Sequence, residues 1–275
     1  MNVQSLYNAR KGCGCIVESK LLLFDLDGTL LTSKHVVAPT TEKAIIACKL
    51  KGLHIGFITA RAHSPKNKKL IADLPCDYIA YYNGAEIYYG NNLLESNKIP
   101  YEQAIKIILQ LHGDLPNAEI SVYMEPWSYS TTSGEVWHIE TQEKRKCNIL
   151  NLPQFDVQRI RLFSETINEI PLQDYMTKET TFFVSIFGDA IIIHKNANKK
   201  HALMKASEVF DISPAQVVAF SDDINDVEMI KVAGTGVAMG NAVAELKNVS
   251  DFITESNDND GIANWINRHL LVMKG

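Results

Sequence analysis

Nowhere in this 275-residue chain does an apolar run approach the roughly 20 residues that cross a bilayer as a helix, and Met1 to Lys20 lack the apolar segment of a secretory signal. A helical membrane protein is excluded, and a cytoplasmic location is expected. Cysteine is sparse: Cys13, Cys15, Cys48, Cys76 and Cys147 form an odd, scattered set without a CxxC pair, which leaves neither a disulfide framework nor a zinc site. Cys13-Gly14-Cys15 would suit redox or soft-metal chemistry, but a flexible reduced leader of unassigned role over residues 1–20 is the simpler reading. Basic charge is in short supply too. The 27 Lys and Arg stand against 32 Asp and Glu, a net charge of -5, so no broad cationic surface is available for nucleic acid. Internal repeats and low-complexity segments are missing, and the sequence leaves the oligomeric state unspecified.

What is present is an ordinary apolar complement, 46% of residues, enough for one large or two ordinary domains. The most informative stretch is Leu21-Leu22-Leu23-Phe24-Asp25-Leu26-Asp27-Gly28-Thr29, where four apolar residues run into two carboxylates spaced i, i+2. The unbroken run fits a parallel strand covered on both faces, and period-two alternation predicts Asp25 and Asp27 on one side of it. Two close carboxylates repel and resist desolvation, so they require a cation or a proton between them. The pair reads as a metal-assisted nucleophile and acid/base.

A βα rhythm surrounds this strand. Pro39-Thr40-Thr41 opens a helix closed by Gly52, Leu53 to Ile58 forms a second strand, Ser64-Pro65 caps a helix to about Leu74, and Tyr78 to Tyr82 is a third strand stopped by Asn83-Gly84. From about Ala85 to His194 the pattern changes. One helix near Tyr101 to Leu111 accompanies alternating stretches at Ile120 to Glu125, Glu135 to Glu140, Phe182 to Phe187 and Ala190 to His194, as in an antiparallel sheet with helices on one face. From Lys199 the rhythm returns, with strands at Val217 to Phe220, Gly236 to Met239 and Asp251 to Thr254. The expected architecture is α/β: a Rossmann-like parallel-sheet core over residues 21–84 and 195–275, with an inserted α+β cap over 85–194.

In open parallel sheets, ligands collect beyond the carboxyl ends of the strands. To that edge the sequence delivers Asp25 and Asp27, Thr59, Lys199 at a helix start, and Ser221-Asp222-Asp223-Ile224-Asn225-Asp226. An all-oxygen carboxylate set favours a hard cation such as Mg²⁺, with Asp25 and Asp222 as direct ligands. The Thr59 hydroxyl and the Lys199 ammonium suit the oxygens of a phosphoryl group. Together they supply the charge neutralisation that phosphoryl transfer demands.

DLDGTLL at 25–31, FITAR at 57–61, NKKHAL at 198–203 and SDDIND at 221–226 resemble, in order, the four motifs of the haloacid dehalogenase superfamily. NGA at 83–85, VAMGNA at 237–242 and NDNDGIANWI at 257–266 resemble its Cof-type phosphatase branch, whose members carry a large α/β cap between the second and third motifs. The resemblance implies that Asp25 attacks phosphorus to form an aspartyl-phosphate and that Asp27 protonates the leaving alcohol, then activates water. It implies that the Asp27 main-chain carbonyl joins Asp25 and Asp222 around Mg²⁺, and that Thr59 and Lys199 hold phosphoryl oxygens. Asn225 falls on the phosphate side, and Asp226 orients the loop or Lys199. Two positions depart from the pattern: Ser221 replaces the glycine before the metal aspartate, and Lys200 the glycine after the motif lysine. The lysine is therefore open between Lys199 and Lys200, with register to Ala202-Leu203 favouring Lys199.

Neighbouring residues read more plainly. Asp223 is an ordinary acid at a helix N-terminus. Arg61 serves equally as a surface salt bridge or a phosphate contact, and Lys66, Lys68 and Lys69 as a solvated helix face. Tyr123, Trp127, Tyr129, Trp137 and His138 gather around an expected hairpin as cap core rather than as a stacking surface. The expectation is a Mg²⁺-dependent phosphatase, a phosphomonoesterase acting on a small phosphorylated metabolite, by family analogy a sugar phosphate, with no nucleic-acid or membrane partner. The alternatives are a phosphotransferase or mutase using the same intermediate, or a non-catalytic sensor, which would have little use for both Asp25 and Asp27.

Overall fold

The computed structural model describes residues 19–131, 135–138, 143–146, 148, 152–185 and 188–271. Cys13, Cys15, Cys147, nearly all of the leader and the side chains of Trp137 and His138 lie outside the described residues, as do parts of the stretches expected at 135–140 and 182–187. The chain runs β1 (Leu21–Phe24), α1 (Pro39–Leu50), β2 (His54–Ile58), α2 (Pro65–Lys69), β3 (Tyr78–Tyr81), β4 (Glu86–Tyr89) and β5 (Asn92–Ser96). It continues through α3 (Tyr101–Asp114), β6 (Glu119–Met124), β7 (Trp127–Ser130), β8 (Glu135–His138), β9 (Lys144–Lys146), β10 (Arg159–Phe163), β11 (Thr180–Val184) and β12 (Ala190–His194). It closes with α4 (Lys199–Val209), β13 (Val217–Ser221), α5 (Val227–Val232), β14 (Thr235–Ala238), α6 (Ala244–Val249), β15 (Phe252–Ile253) and α7 (Gly261–His269).

The strands form two sheets, ordered β15-β14-β13-β1-β2-β3-β4-β5 and β11-β12-β10-β6-β7-β8-β9. In the first, β1 sits between β13 and β2, parallel to both, and is wholly buried. Leu22 and Phe24 pack with Ile45 of α1 and Trp265 of α7, while Leu21 and Leu23 meet Leu203 of α4 and Met229 of α5 on the other face. Each such side chain contributes about 1.5–3 kcal/mol through removal from water, which makes this strand the best-anchored part of the sheet.

Several boundaries differ from the sequence expectation. The strand ends at Phe24, so Asp25 and Asp27 occupy the turn beyond it and strand alternation does not govern them. β4 and β5 extend the core sheet rather than the cap, which moves the expected start of the insertion at residue 85 past Ser96. A hairpin turned at Gly90-Asn91 adds to a sheet edge without a crossover helix, and its alternation looks the same in either sheet. β7, β9 and β10 were not anticipated, and α2 stops at Lys69, short of Leu74, although Ser64 caps it by accepting from the Asn67 amide.

The second sheet is antiparallel throughout. One face, including Ile120, Val122, Ile160 and Ile192, packs on Ile107, Ile108 and Leu111 of α3. On the opposite face, Ile191 and Ile193 of β12 join the core's own apolar cluster, so the cap sheet is seated on the core along β12. Farther across that face the side chains turn polar, with Arg159, Arg161, Ser121 and Tyr123 on β10 and β6. No helix among the described residues is long and apolar enough to cross a membrane.

Candidate active site

The carboxyl ends of β1, β2 and β13 and the start of α4 converge on one buried ionic cluster. Lys199 Nζ lies 2.8 Å from Asp25 Oδ1 and 2.7 Å from Asp226 Oδ1. Lys200 is half exposed and among the described residues pairs only with Glu228, at 4.0 Å, whereas Lys199 is the buried one of the two. Ser221, the departure from the usual glycine, is accommodated because its buried hydroxyl donates to Asp226 Oδ2. Asp222 accepts from Thr29 Oγ1 at 2.6 Å. Gly28 has φ +72°, and a Cβ there would come within 2.1 Å of Asp222 Oδ2, so glycine is required for the two loops to meet. Asn241 Nδ2 donates to the Gly28 carbonyl and Asn257 Nδ2 to that of Leu31, both at 2.8 Å, which ties the first loop to the two C-terminal motifs.

Three carboxylates here share one ammonium. Burial, opposed by Lys199 and reinforced by Asp226 and Asp222, pushes the Asp25 carboxyl up to about 8. Burial, opposed by the Thr29 hydrogen bond and reinforced by Asp226, pushes Asp222 up to about 6. Burial draws the Lys199 ammonium down, but Asp226 and Asp25 outweigh it and hold it above the ordinary lysine range. The cluster is short of positive charge, and its donors are all oxygen. A hard divalent cation fits that deficit, and the Asp25 and Asp222 carboxylates are the residues that would hold it.

Thr59 is buried at the end of β2, where its Oγ1 accepts from the Arg61 amide at 3.1 Å. The hydroxyl proton remains for an anion's oxygen. Asp27, in contrast, is half exposed and gripped by Arg61, whose Nε and Nη2 donate to its two oxygens at 2.7 and 2.6 Å. The Asp27 hydrogen bond keeps Arg61 charged more firmly than usual, and Asp25 adds to its field, so one guanidinium senses both acids. Arg61 is thus no incidental surface residue. Asp223 keeps its plain role, accepting from the Ile224 amide at 2.7 Å, and Asn225 carries a buried Oδ1 without a partner.

The cap meets the core at a second polar cluster that sequence reasoning missed. His63, Glu86 and Glu125 bring their ligand-type atoms within 4.8 Å of one another, at a domain joint where protein donors already engage both glutamates. Lys98 lies 2.9 Å from Glu86, Gln158 and Tyr88 each donate to it at 3.1 Å, and Tyr82 donates to Glu125 at 2.6 Å. Burial pushes Glu125 up to about 7 despite Tyr82. A glutamate set in an apolar strand directly after Asn83-Gly84-Ala85 was the available signal. Among the expected cap-core aromatics, Tyr129 is buried there and Trp127 packs against it, whereas Tyr123 stands outside and carries the Arg159 guanidinium 4.2 Å from its ring centre.

Comparison with known proteins identifies the family and the fold. The family model of haloacid dehalogenase-like hydrolases matches residues 22–266. A 5-amino-6-(5-phospho-D-ribitylamino)uracil phosphatase of Bacillus subtilis is 29% identical over 93% of this chain and 97% of its own length. A pyridoxal phosphate phosphatase of Escherichia coli is 27% identical over 92% and 99%. A phosphatase structure of the same superfamily from Bacteroides thetaiotaomicron superposes with a TM-score of 0.81 at 21% identity, covering 95% of this chain and all of that one, and shows the shared fold. Sheet, cap and acidic edge define the class of capped α/β phosphoester hydrolases. The chain belongs to the haloacid dehalogenase-like hydrolases.

Proposed function

We propose that the protein is a Mg²⁺-dependent phosphomonoesterase that hydrolyses a small phosphorylated metabolite through an aspartyl-phosphate on Asp25. The observation that carries this is the buried Asp25 carboxylate, held 2.8 Å from Lys199 and beside Asp222, with the Thr59 hydroxyl on the neighbouring strand end. When bound, Mg²⁺ would supply the missing positive charge and offset charge building on the phosphoryl oxygens. Lys199 and Thr59 bind those oxygens, Asn225 flanks them, and Asp226 keeps Lys199 aimed at Asp25.

An Asp25 oxygen forms the bond to phosphorus while the bond to the leaving oxygen breaks. Asp27 hands that oxygen a proton, and its carboxylate then takes one from the water that cleaves the aspartyl-phosphate, regenerating Asp25. Arg61 occupies both Asp27 oxygens, so the clamp must release one of them before Asp27 can reach the leaving oxygen. The named substrates of the relatives, a ribityl phosphate and pyridoxal phosphate, are both small phosphate monoesters, which supports a small-metabolite substrate and leaves a sugar phosphate the leading class.

With p-nitrophenyl phosphate and Mg²⁺ as the assay, Asp25→Asn and Asp27→Asn are each expected to lower kcat by at least ~10³-fold. Wild-type turnover in Asp25→Asn would remove the covalent mechanism.

A further inference from the structure

The core-facing side of the cap carries two arginines on β10, and only one has a carboxylate. Arg161 Nε is 2.5 Å from Asp189 Oδ2, an ion pair within the cap. Arg159 meets no carboxylate at ion-pair distance among the described residues. Its guanidinium carbon lies 4.2 Å from the Tyr123 ring centre and 5.3 Å from that of Tyr82, its Nε is buried without a partner, and its Nη1 makes one long hydrogen bond of 3.4 Å to the Ala60 carbonyl. Stacking engages the face of a guanidinium; its hydrogen-bonding capacity lies along the edge, in a fork matched to carboxylate or phosphate oxygens.

The position of this cation gives it meaning. Ala60 separates Thr59, on the phosphoryl side, from Arg61, which holds Asp27. Asp27 is the group assigned to the leaving oxygen, so the organic half of the ester emerges past it toward the cap. Resting on the proposed phosphatase chemistry, we propose that Arg159 is a specificity residue that selects esters whose alcohol half bears a second anionic group, a carboxylate or another phosphate. The anion replaces the long Ala60 contact with charge-assisted hydrogen bonds, whereas a neutral alcohol leaves the edge of the guanidinium unused.

The test compares kcat/KM for substrate pairs that differ in this one group: 2-phosphoglycerate against glycerol 2-phosphate for the carboxylate, and glucose 1,6-bisphosphate against glucose 6-phosphate for the phosphate. The wild type is expected to prefer the anionic member of one pair at least ~10-fold, the pair identifying the source, and Arg159→Ala to reduce that ratio about 10- to 100-fold. Arg159→Lys should keep part of the preference, because charge remains while the fork is lost. Equal ratios in wild type and variant, or no preference in either pair, overturns the proposal. Should Arg159→Ala fail to fold, inhibition of wild-type p-nitrophenyl phosphate turnover decides: glycerate inhibiting at least ~10-fold more strongly than glycerol supports the subsite, and equal inhibition overturns it. Turnover of p-nitrophenyl phosphate without any ratio effect defeats this assignment alone. Absence of all Mg²⁺-dependent turnover defeats the phosphatase reading beneath it.

Discussion

The acidic edge of the core and the core-facing side of the cap are both polar surfaces, and they are built in opposite ways. In the core, Asp25, Thr59 and Asp222 follow directly on the ends of buried strands, and Asn241 and Asn257 bind the first loop through its backbone carbonyls. Position there is set by main chain and short side chains. In the cap, Arg159 and Tyr123 stand along strands, and the polar bridges to the core, Gln158 to Glu86, Glu125 to Tyr82 and Arg159 to Ala60, all run through side chains. A surface tied that way is able to change its contacts without moving a reacting group, and on the proposed chemistry the first surface carries the bond chemistry and the second the ligand choice.

That division is broken most severely at Gly28. Gly28→Ala places a Cβ against Asp222 and puts alanine at positive φ, so kcat with p-nitrophenyl phosphate is expected to fall roughly 100-fold with little change in KM. Near-wild-type kcat would show that the Asp25 and Asp222 loops tolerate separation. At the joint the expectation reverses. Glu86→Ala leaves Lys98 and Gln158 without their shared acceptor and should cost about 2 kcal/mol in urea unfolding, with the kcat of the generic ester affected far less than in Gly28→Ala. An equal loss of kcat in both variants would erase the distinction.

The smallest effect sharpens it through pH. Glu125 is held up to about 7 in the folded protein by burial, above its ordinary value, so the folded state keeps this proton when the unfolded chain has released it. Stability from this group is therefore full below the ordinary glutamate range and is lost as pH rises through about 7. Glu125→Gln should retain about 1 kcal/mol more of its low-pH stability than wild type between about pH 5 and pH 8. Parallel stability curves would place the charge of Glu125 in solvent.

Legibility followed the same line. Asp25, Thr59 and Asp222 stood out because each directly follows a strand that an apolar run announces, and Lys199 because it opens the helix that follows the insertion. Arg61 was visible but ambiguous, since a surface ion pair and a clamp on Asp27 use the same residue type. Arg159 and Glu125 carried no local mark, and the one at Glu86, an acid in an apolar strand, named no partner. Their partners lie 99 residues away at Ala60, 72 at Gln158 and 43 at Tyr82, distances over which no periodicity speaks. The hairpin of β4 and β5 escaped for a related reason: alternation reports that a strand has two faces, not which sheet receives it.

The sequence alone determined the parallel core, the inserted cap and the residues delivered to the acidic edge, because burial and backbone geometry act over a few neighbouring positions. Only the tertiary structure decided between Lys199 and Lys200, bound Asp27 to Arg61 and set Arg159 beside Ala60 with no carboxylate at ion-pair distance among the described residues. Charge pairing depends on distance in space, and distance in space is settled by how the two sheets are seated.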